Sequence, residues 1–202
     1  HSDINLLTFT GSSATGKQLM VTAGQSNMKR LMLECGGKSP YIVFDDCPGD
    51  LDYIAADVVE TAFYNQGEVC VAGTRLLIQE SLKDQLLPKI LAKVAELKPQ
   101  DPLRTDTEFG ALINEEHLQK VLNYIDSGIK EGATLVHGGK RVSIDSNGGS
   151  LSGCYLEPTV FADVNSSQTI AKEEIFGPVL SVFSFKDEQE AINIANDSCY
   201  GL

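Results

Sequence analysis

LDYIAADVVETAFYNQGEVCVAGTRLLIQE, residues 51–80, reads as a helix, a glycine-broken turn and a strand in immediate succession. Leu51, Ile54, Ala55, Val58, Val59, Ala62 and Phe63 recur at three- and four-residue spacing, which makes one apolar helical stripe over 51–63. Asp50 is placed to cap its start and Gly67 to end it. Cys70 then emerges between the packed helix and the strand RLLIQE, anchored on both sides.

Working outward, strands and helices alternate. Upstream, INLLTFT (4–10) predicts a strand, GSSATG (11–16) a glycine turn, and 17–29 a helix, the layout of a phosphate-facing βα unit. RLMLE (30–34) and the run at 41–45 predict two strands around the double glycine Gly36-Gly37. Downstream, helices are expected over 82–97, capped by Ser81 and shifted or kinked by Pro88, and over 115–130. A strand follows at ATLVHG, and the Gly- and Ser-rich stretch 138–153 predicts an exposed, mobile loop. Strands recur at TVFADV and VLSVFSF, and a last helix starts at Asp187 with Glu190 completing a capping box. Such alternation implies an α/β fold, with a largely parallel sheet covered by helices on both faces.

Bulk properties narrow the function. Twenty-eight acidic against 16 basic residues give a net charge of −12, which disfavours nucleic acid or an anionic membrane as partner. No apolar run is long enough to span a bilayer, and His1-Ser2-Asp3 does not start a signal peptide. Five widely spaced cysteines and three unpaired histidines offer neither a disulfide framework nor a metal site. A soluble, cytoplasmic protein is the expectation. The chain opens without Met on a strand and stops just after a helix, at SCYGL, so it reads as a piece of a longer polypeptide.

Chemistry centres on a few residues. A reactive thiol needs partial exposure and nearby donors or positive charge. Backbone N–H groups around Gly67 and Gly73 suit Cys70 to that task, with Arg75 and Lys38 as sources of positive field. Composition equally allows Cys70 as a small core residue. Glu34, at the end of an apolar strand before Cys35-Gly36-Gly37, can serve as a base near neutral pH, or stand as a strand-end carboxylate in water. The paired glycines offer bare backbone on which a cofactor or substrate can rest. Gly11, Gly16 and Lys17 nearly complete a P-loop, but Gln18 replaces the magnesium-binding Ser/Thr. A metal-free dinucleotide fits that turn better than a nucleoside triphosphate. In KEEIFGPV (172–179), Glu174 can accept from ribose hydroxyls and Phe176 can pack on a nicotinamide; a capping acid and a core ring is the alternative.

Taken together, FTGSSATG, LECGGKSP, FYNQGEVCVAGTR and KEEIFGPV resemble the aldehyde dehydrogenase superfamily in order and spacing, over essentially the whole chain. The resemblance implies residues 1–35 as the end of a Rossmann-type cofactor domain and 36–202 as a catalytic domain truncated at its C-terminus. It implies that Cys70 attacks an aldehyde to give a thiohemiacetal, that hydride passes to NAD or NADP to leave a thioester, and that Glu34 activates the hydrolytic water. Gly11 and Ser12 correspond to the pyrophosphate contact, Cys35 and Gly36 to backbone beside the nicotinamide, and Glu174 and Phe176 to the ribose acid and nicotinamide-side ring. The Cys70 N–H corresponds to half of an oxyanion hole. A homodimer or homotetramer is implied for the full protein.

Cys35 departs from the family's usual Leu and adds a second thiol near the site. The family's side-chain oxyanion Asn, its adenosine-ribose residues and its closing strands have no counterpart in these residues, so the isolated chain is expected to fold but to bind dinucleotide poorly. The flanks of Cys70 look most like aminoaldehyde and γ-glutamyl-aminobutyraldehyde dehydrogenases. Glu34 favours hydrolysis over transfer to coenzyme A. Two other readings remain open: a P-loop nucleotide-binding domain and a catalytically silent relative.

Overall fold

The computed structural model describes residues 1–146 and 149–202. Its core is a five-stranded sheet in the order β3-β4-β9-β8-β5, built from Pro40–Val43 (β3), Arg75–Gln79 (β4), Val179–Phe185 (β9), Thr159–Ala162 (β8) and Thr134–His137 (β5). The first four strands run parallel, and β5 closes the edge antiparallel to β8. The sheet is thus largely parallel, as expected, with one reversed edge.

Strands buried on both faces read as continuous apolar runs, and β4 and β9 do. Alternate residues point to opposite faces. Leu76 and Ile78 of β4 with Leu180 and Val182 of β9 pack on one side against α2 (Leu51–Phe63) and α3 (Glu80–Val94). Leu77, Val179, Phe183 and Phe185 pack on the other against α4 (Glu115–Lys130), α5 (Thr169–Lys172) and α6 (Glu188–Asn196). Helix α2 buries the predicted stripe through Ile54, Ala55, Val58, Val59, Ala62 and Phe63, and Asp50 caps it by accepting from the Asp52 N–H. The α6 cap also forms: Asp187 accepts from the Glu190 N–H, while the Glu190 carboxylate reaches back to the Lys186 N–H.

A separate parallel pair, β1 (Leu6–Thr10) and β2 (Arg30–Glu34), flanks α1 (Ser13–Gln25). Helix α1 begins at Ser13, four residues before the predicted start, because the Ser12 side chain accepts from the Thr15 N–H and nucleates the first turn inside the expected loop. Ser81 is not a cap. Helix α3 starts at Glu80 after Gln79, runs on through Pro88, and leaves the Ser81 hydroxyl donating to Asp45 at 2.6 Å.

The expected loop at 138–153 instead contains most of a hairpin, β6 (Arg141–Ser146) paired antiparallel with β7 (Gly149–Leu156). Residues 147–148 of that stretch lie outside the described residues. Ile144, Tyr155 and Leu156 are buried, and Arg141 pairs with Glu115 at the start of α4, so tertiary contact organises a Gly- and Ser-rich sequence.

Candidate active site

A cleft of about 480 Å3, within the range of small-molecule sites, opens between the carboxyl ends of β1 and β2 and the turns that enter β4 and β9. Thr10, Gly11 and Ser12 line it from the first loop, and Cys35 and Gly36 from the second. Glu68, Val69 and Cys70 come from the turn after α2, His117 and Lys120 from the first turns of α4, and Glu174 and Phe176 from the turn before β9. Seven of the predicted site residues therefore meet in one place although they are distant in sequence.

The turn that carries Cys70 is held in an unusual backbone path. Helix α2 ends at Phe63, Tyr64 leaves the helical region at φ −48° and ψ 136°, and in the turn that follows Asn65 and Gln66 adopt left-handed conformations with φ of 48° and 57°. Gly67 follows at φ +69°, and a Cβ there would lie 2.5 Å from the Gly177 carbonyl oxygen. Glycine is required at 67 both for that φ and for the close approach of the 173–178 turn. Cys70 itself is half-buried in a turn closed by the Ala72 N–H donating to the Val69 carbonyl at 3.2 Å. Among the described residues its own N–H makes no hydrogen bond, so the group is free to meet a developing oxyanion.

Gly36 and Gly37 are also dictated by contact. A Cβ on Gly36 would lie 2.1 Å from Glu174 Oε2, and one on Gly37 would lie 2.2 Å from the Cys70 carbonyl oxygen. The bare backbone of LECGG thus brings the thiol turn and the Glu174 turn together, and the Gly37 N–H donates to Glu174 Oε1 at 3.1 Å. Cys35 is half-buried; a Cβ on Gly16 would lie 2.8 Å from its sulfur, which packs against α1.

Glu34 stands apart. It is the last residue of β2, adjacent to Cys35 and paired with Thr10, but it is exposed and does not line the cleft. The partly apolar setting expected for it is not built among the described residues. Ser12 is exposed at the N-terminus of α1, where free N–H groups and the helix dipole favour an anion. Gly16 lies inside the helix, so Ser13–Gly16 does not form the open loop that a P-loop wraps around phosphates.

The two cations expected to polarise Cys70 have other roles. Buried Arg75 donates to the Lys38 carbonyl at 2.7 Å and to the Ile194 and Ala195 carbonyls at 2.9 and 2.8 Å, satisfying the last turn of α6. Lys38 is 1% exposed, and its Nζ has no partner among the described residues. Burial, reinforced by Arg75 and opposed by Glu174 and Glu173, lowers the Lys38 ammonium to about 7.

Three lining residues carried no recognised sequence signal: Glu68, His117 and Lys120. Their shared feature, polar side chains bracketing Cys70 and heading an amphipathic helix, is legible only once the turn and helix are docked. His117 Nε2 lies 2.6 Å from the Phe176 carbonyl oxygen and 3.4 Å from Glu68 Oε1. A carbonyl only accepts, so Nε2 carries the proton and donates it. Glu68 Oε1 also accepts from the Ile113 N–H at 3.3 Å, and burial raises the Glu68 carboxyl while Ile113 and His117 oppose the shift.

Comparison with known proteins places this chain in a family. A sequence model described as the aldehyde dehydrogenase family matches residues 1–202. An indole-3-acetaldehyde dehydrogenase solved with NAD+ superposes with a TM-score of 0.94 at 49% identity, covering 100% of this chain and 40% of that one. The aldehyde dehydrogenase KauB from Pseudomonas aeruginosa gives 0.93 at 50% identity, covering 100% and 40%. A gamma-glutamyl-gamma-aminobutyraldehyde dehydrogenase from Burkholderia cenocepacia gives 0.92 at 48% identity, covering 100% and 39%. The chain spans about two fifths of the length of these structures.

Proposed function

The chain belongs to the aldehyde dehydrogenase family, and we propose that it carries the thiol half of an NAD- or NADP-dependent oxidation of an aldehyde to a carboxylic acid. One observation carries the proposal: the cleft gathers Cys70 with Gly11, Ser12, Cys35, Gly36, Glu174 and Phe176. The donor set fits a dinucleotide. The α1 N-terminus suits a pyrophosphate, the Glu174 carboxylate suits ribose hydroxyls, and the Phe176 ring suits the nicotinamide side; Gly36 leaves room where any Cβ would meet Glu174.

In this reading the Cys70 thiolate attacks the aldehyde carbon, a C–S bond forms, and the oxyanion meets the free Cys70 N–H. A nicotinamide held by Gly36, Glu174 and Phe176 would supply the hydride acceptor needed to take the Cys70-bound carbon from thiohemiacetal to thioester. Glu34 removes a proton from water, the new C–O bond forms, and the C–S bond breaks to return the thiolate. Water, rather than coenzyme A, is the acyl acceptor in this reading, with Glu34, exposed at the end of β2 and outside the cleft lining, as the base that must reach it. Residues 1–35 would end the cofactor domain and 36–202 belong to the catalytic domain, a division supported by β1 and β2 pairing only with each other among the described residues. A homodimer or homotetramer in the cytoplasm completes the proposal, and the relative that acts on gamma-glutamyl-gamma-aminobutyraldehyde supports an aminoaldehyde as substrate.

Limiting iodoacetamide between pH 6 and 9, with mass-spectrometric ranking of the five cysteines, tests the nucleophile. Cys70 is expected to label first. Cys154 should lag, because burial and then Glu115, 3.8 Å from its sulfur, raise its thiol. Cys70 trailing Cys154 or Cys35 would sink the assignment.

A further inference from the structure

His117 belongs to none of the roles above, yet it touches both walls of the cleft. Its Nε2–H donates to the Phe176 carbonyl at 2.6 Å, and the same nitrogen faces Glu68 Oε1 at 3.4 Å. Its ring meets the Phe176 ring edge-on, with centroids 6.1 Å apart. Glu68 lies two residues before Cys70, and Phe176 two residues after Glu174. A single imidazole thus spans the thiol turn and the turn that carries the proposed ribose acid.

We infer that His117 is a positioning residue, whose Nε2–H clamps the Phe176 turn to the Glu68–Cys70 turn and so sets the two sides of the site at a fixed separation.

The surroundings are built for this. Asn114 caps α4 by accepting from the His117 N–H at 2.8 Å, fixing the backbone that projects the imidazole. Glu68 is anchored independently by the Ile113 N–H, at the positive end of α4. Both side chains are mostly shielded, at 14% exposure for His117 and 11% for Glu68, so the contact is weakly screened by water. Phe176 holds φ +58°, a left-handed backbone uncommon for an aromatic residue, and such a conformation persists only where surrounding contacts impose it. The hydrogen bond to its carbonyl is one such contact. Lys120, one turn on along α4, lines the same cleft.

The inference rests on the dehydrogenase reading for its functional consequence but not for its geometry, and the test separates the two. In the enzyme that carries this chain, His117→Ala and His117→Phe are compared with His117→Gln, whose amide N–H can replace Nε2–H. Loss of one partly buried hydrogen bond is expected to raise KM for NAD+ about 3- to 10-fold in the Ala and Phe variants, with kcat within about 2-fold. The Gln variant should return KM to within about 2-fold. Wild-type KM in the Phe variant would show that ring packing alone suffices and would overturn the clamp. A Gln variant as impaired as Ala, with an equal fall in melting temperature, would reduce His117 to a purely structural role. If the wild type shows no aldehyde-dependent turnover with either NAD+ or NADP+, the dehydrogenase reading fails instead. The clamp is then decided by hydrogen exchange of the 174–177 amides, faster in the Phe variant than in Gln and wild type if it exists, and alike in all three if it does not.

Discussion

The two sides of the cleft are made of differently built protein. On the thiol side, Leu76, Leu77 and Ile78 of β4 are fully buried, and the Cys70 turn hangs between that strand and the packed helix α2. On the Ser12 side, β1 and β2 alternate between exposed and half-buried residues, and Leu6, Met20, Val21, Met28 and Met32 are exposed. Cys70 therefore rides on a close-packed core. Ser12 and Glu34 ride on a unit held by one strand pair and one helix, which is why Glu34 stands in water while Cys70 is half-buried.

The sharpest way to break this contrast is a pair of truncations. Leu76→Ala, at a site with no exposure, should cost about 2–5 kcal/mol in denaturant unfolding. Leu6→Ala, at 49% exposure, should cost less than about 1 kcal/mol. Equal losses would mean that β1–α1–β2 is as tightly integrated as the core.

A smaller effect comes from the buried amine behind the glycine pair. The folded Lys38 value of about 7 lies below the unfolded 10.5, so the unfolded chain binds more protons between those pH values. Stability should therefore rise with pH across that window, on the order of 2 kcal/mol between pH 7 and pH 9, with the full penalty present below pH 7. Lys38→Met should flatten the slope and stabilise the chain most at low pH. An unchanged slope in the variant would show that another group carries it.

The smallest change is predicted in the loosely buried unit. Ser12→Ala removes the α1 cap and should cost about 1 kcal/mol, seen as faster amide exchange confined to the first turn of α1. Exchange spreading into β4 would mean that the two sides unfold together.

How far the sequence could be read follows the same physics. Helices α2 and α4 span the predicted residues because a sustained 3.6-residue stripe and a capping side chain are local signals. The α1 start was hidden because Ser12 can serve equally as loop or cap until the first turn forms. The β6–β7 hairpin was hidden because Gly and Ser weaken strand propensity, and only packing against the start of α4 offsets that. The reversed direction of β5 leaves no mark on residue pattern, since alternation is the same in either sense.

The sequence by itself determined the family, the alternating α/β order, the thiol and the glycines beside it, because motif spacing and apolar periodicity are properties of the chain alone. Only the tertiary structure decided that Arg75 binds carbonyls of α6, that Lys38 is buried without a partner among the described residues, that Glu34 faces water, and that His117 reaches both Glu68 and Phe176. Those outcomes depend on which groups approach within hydrogen-bonding distance across more than 40 residues of chain, roughly the separation of Glu68 and His117, and on how much water is left around them.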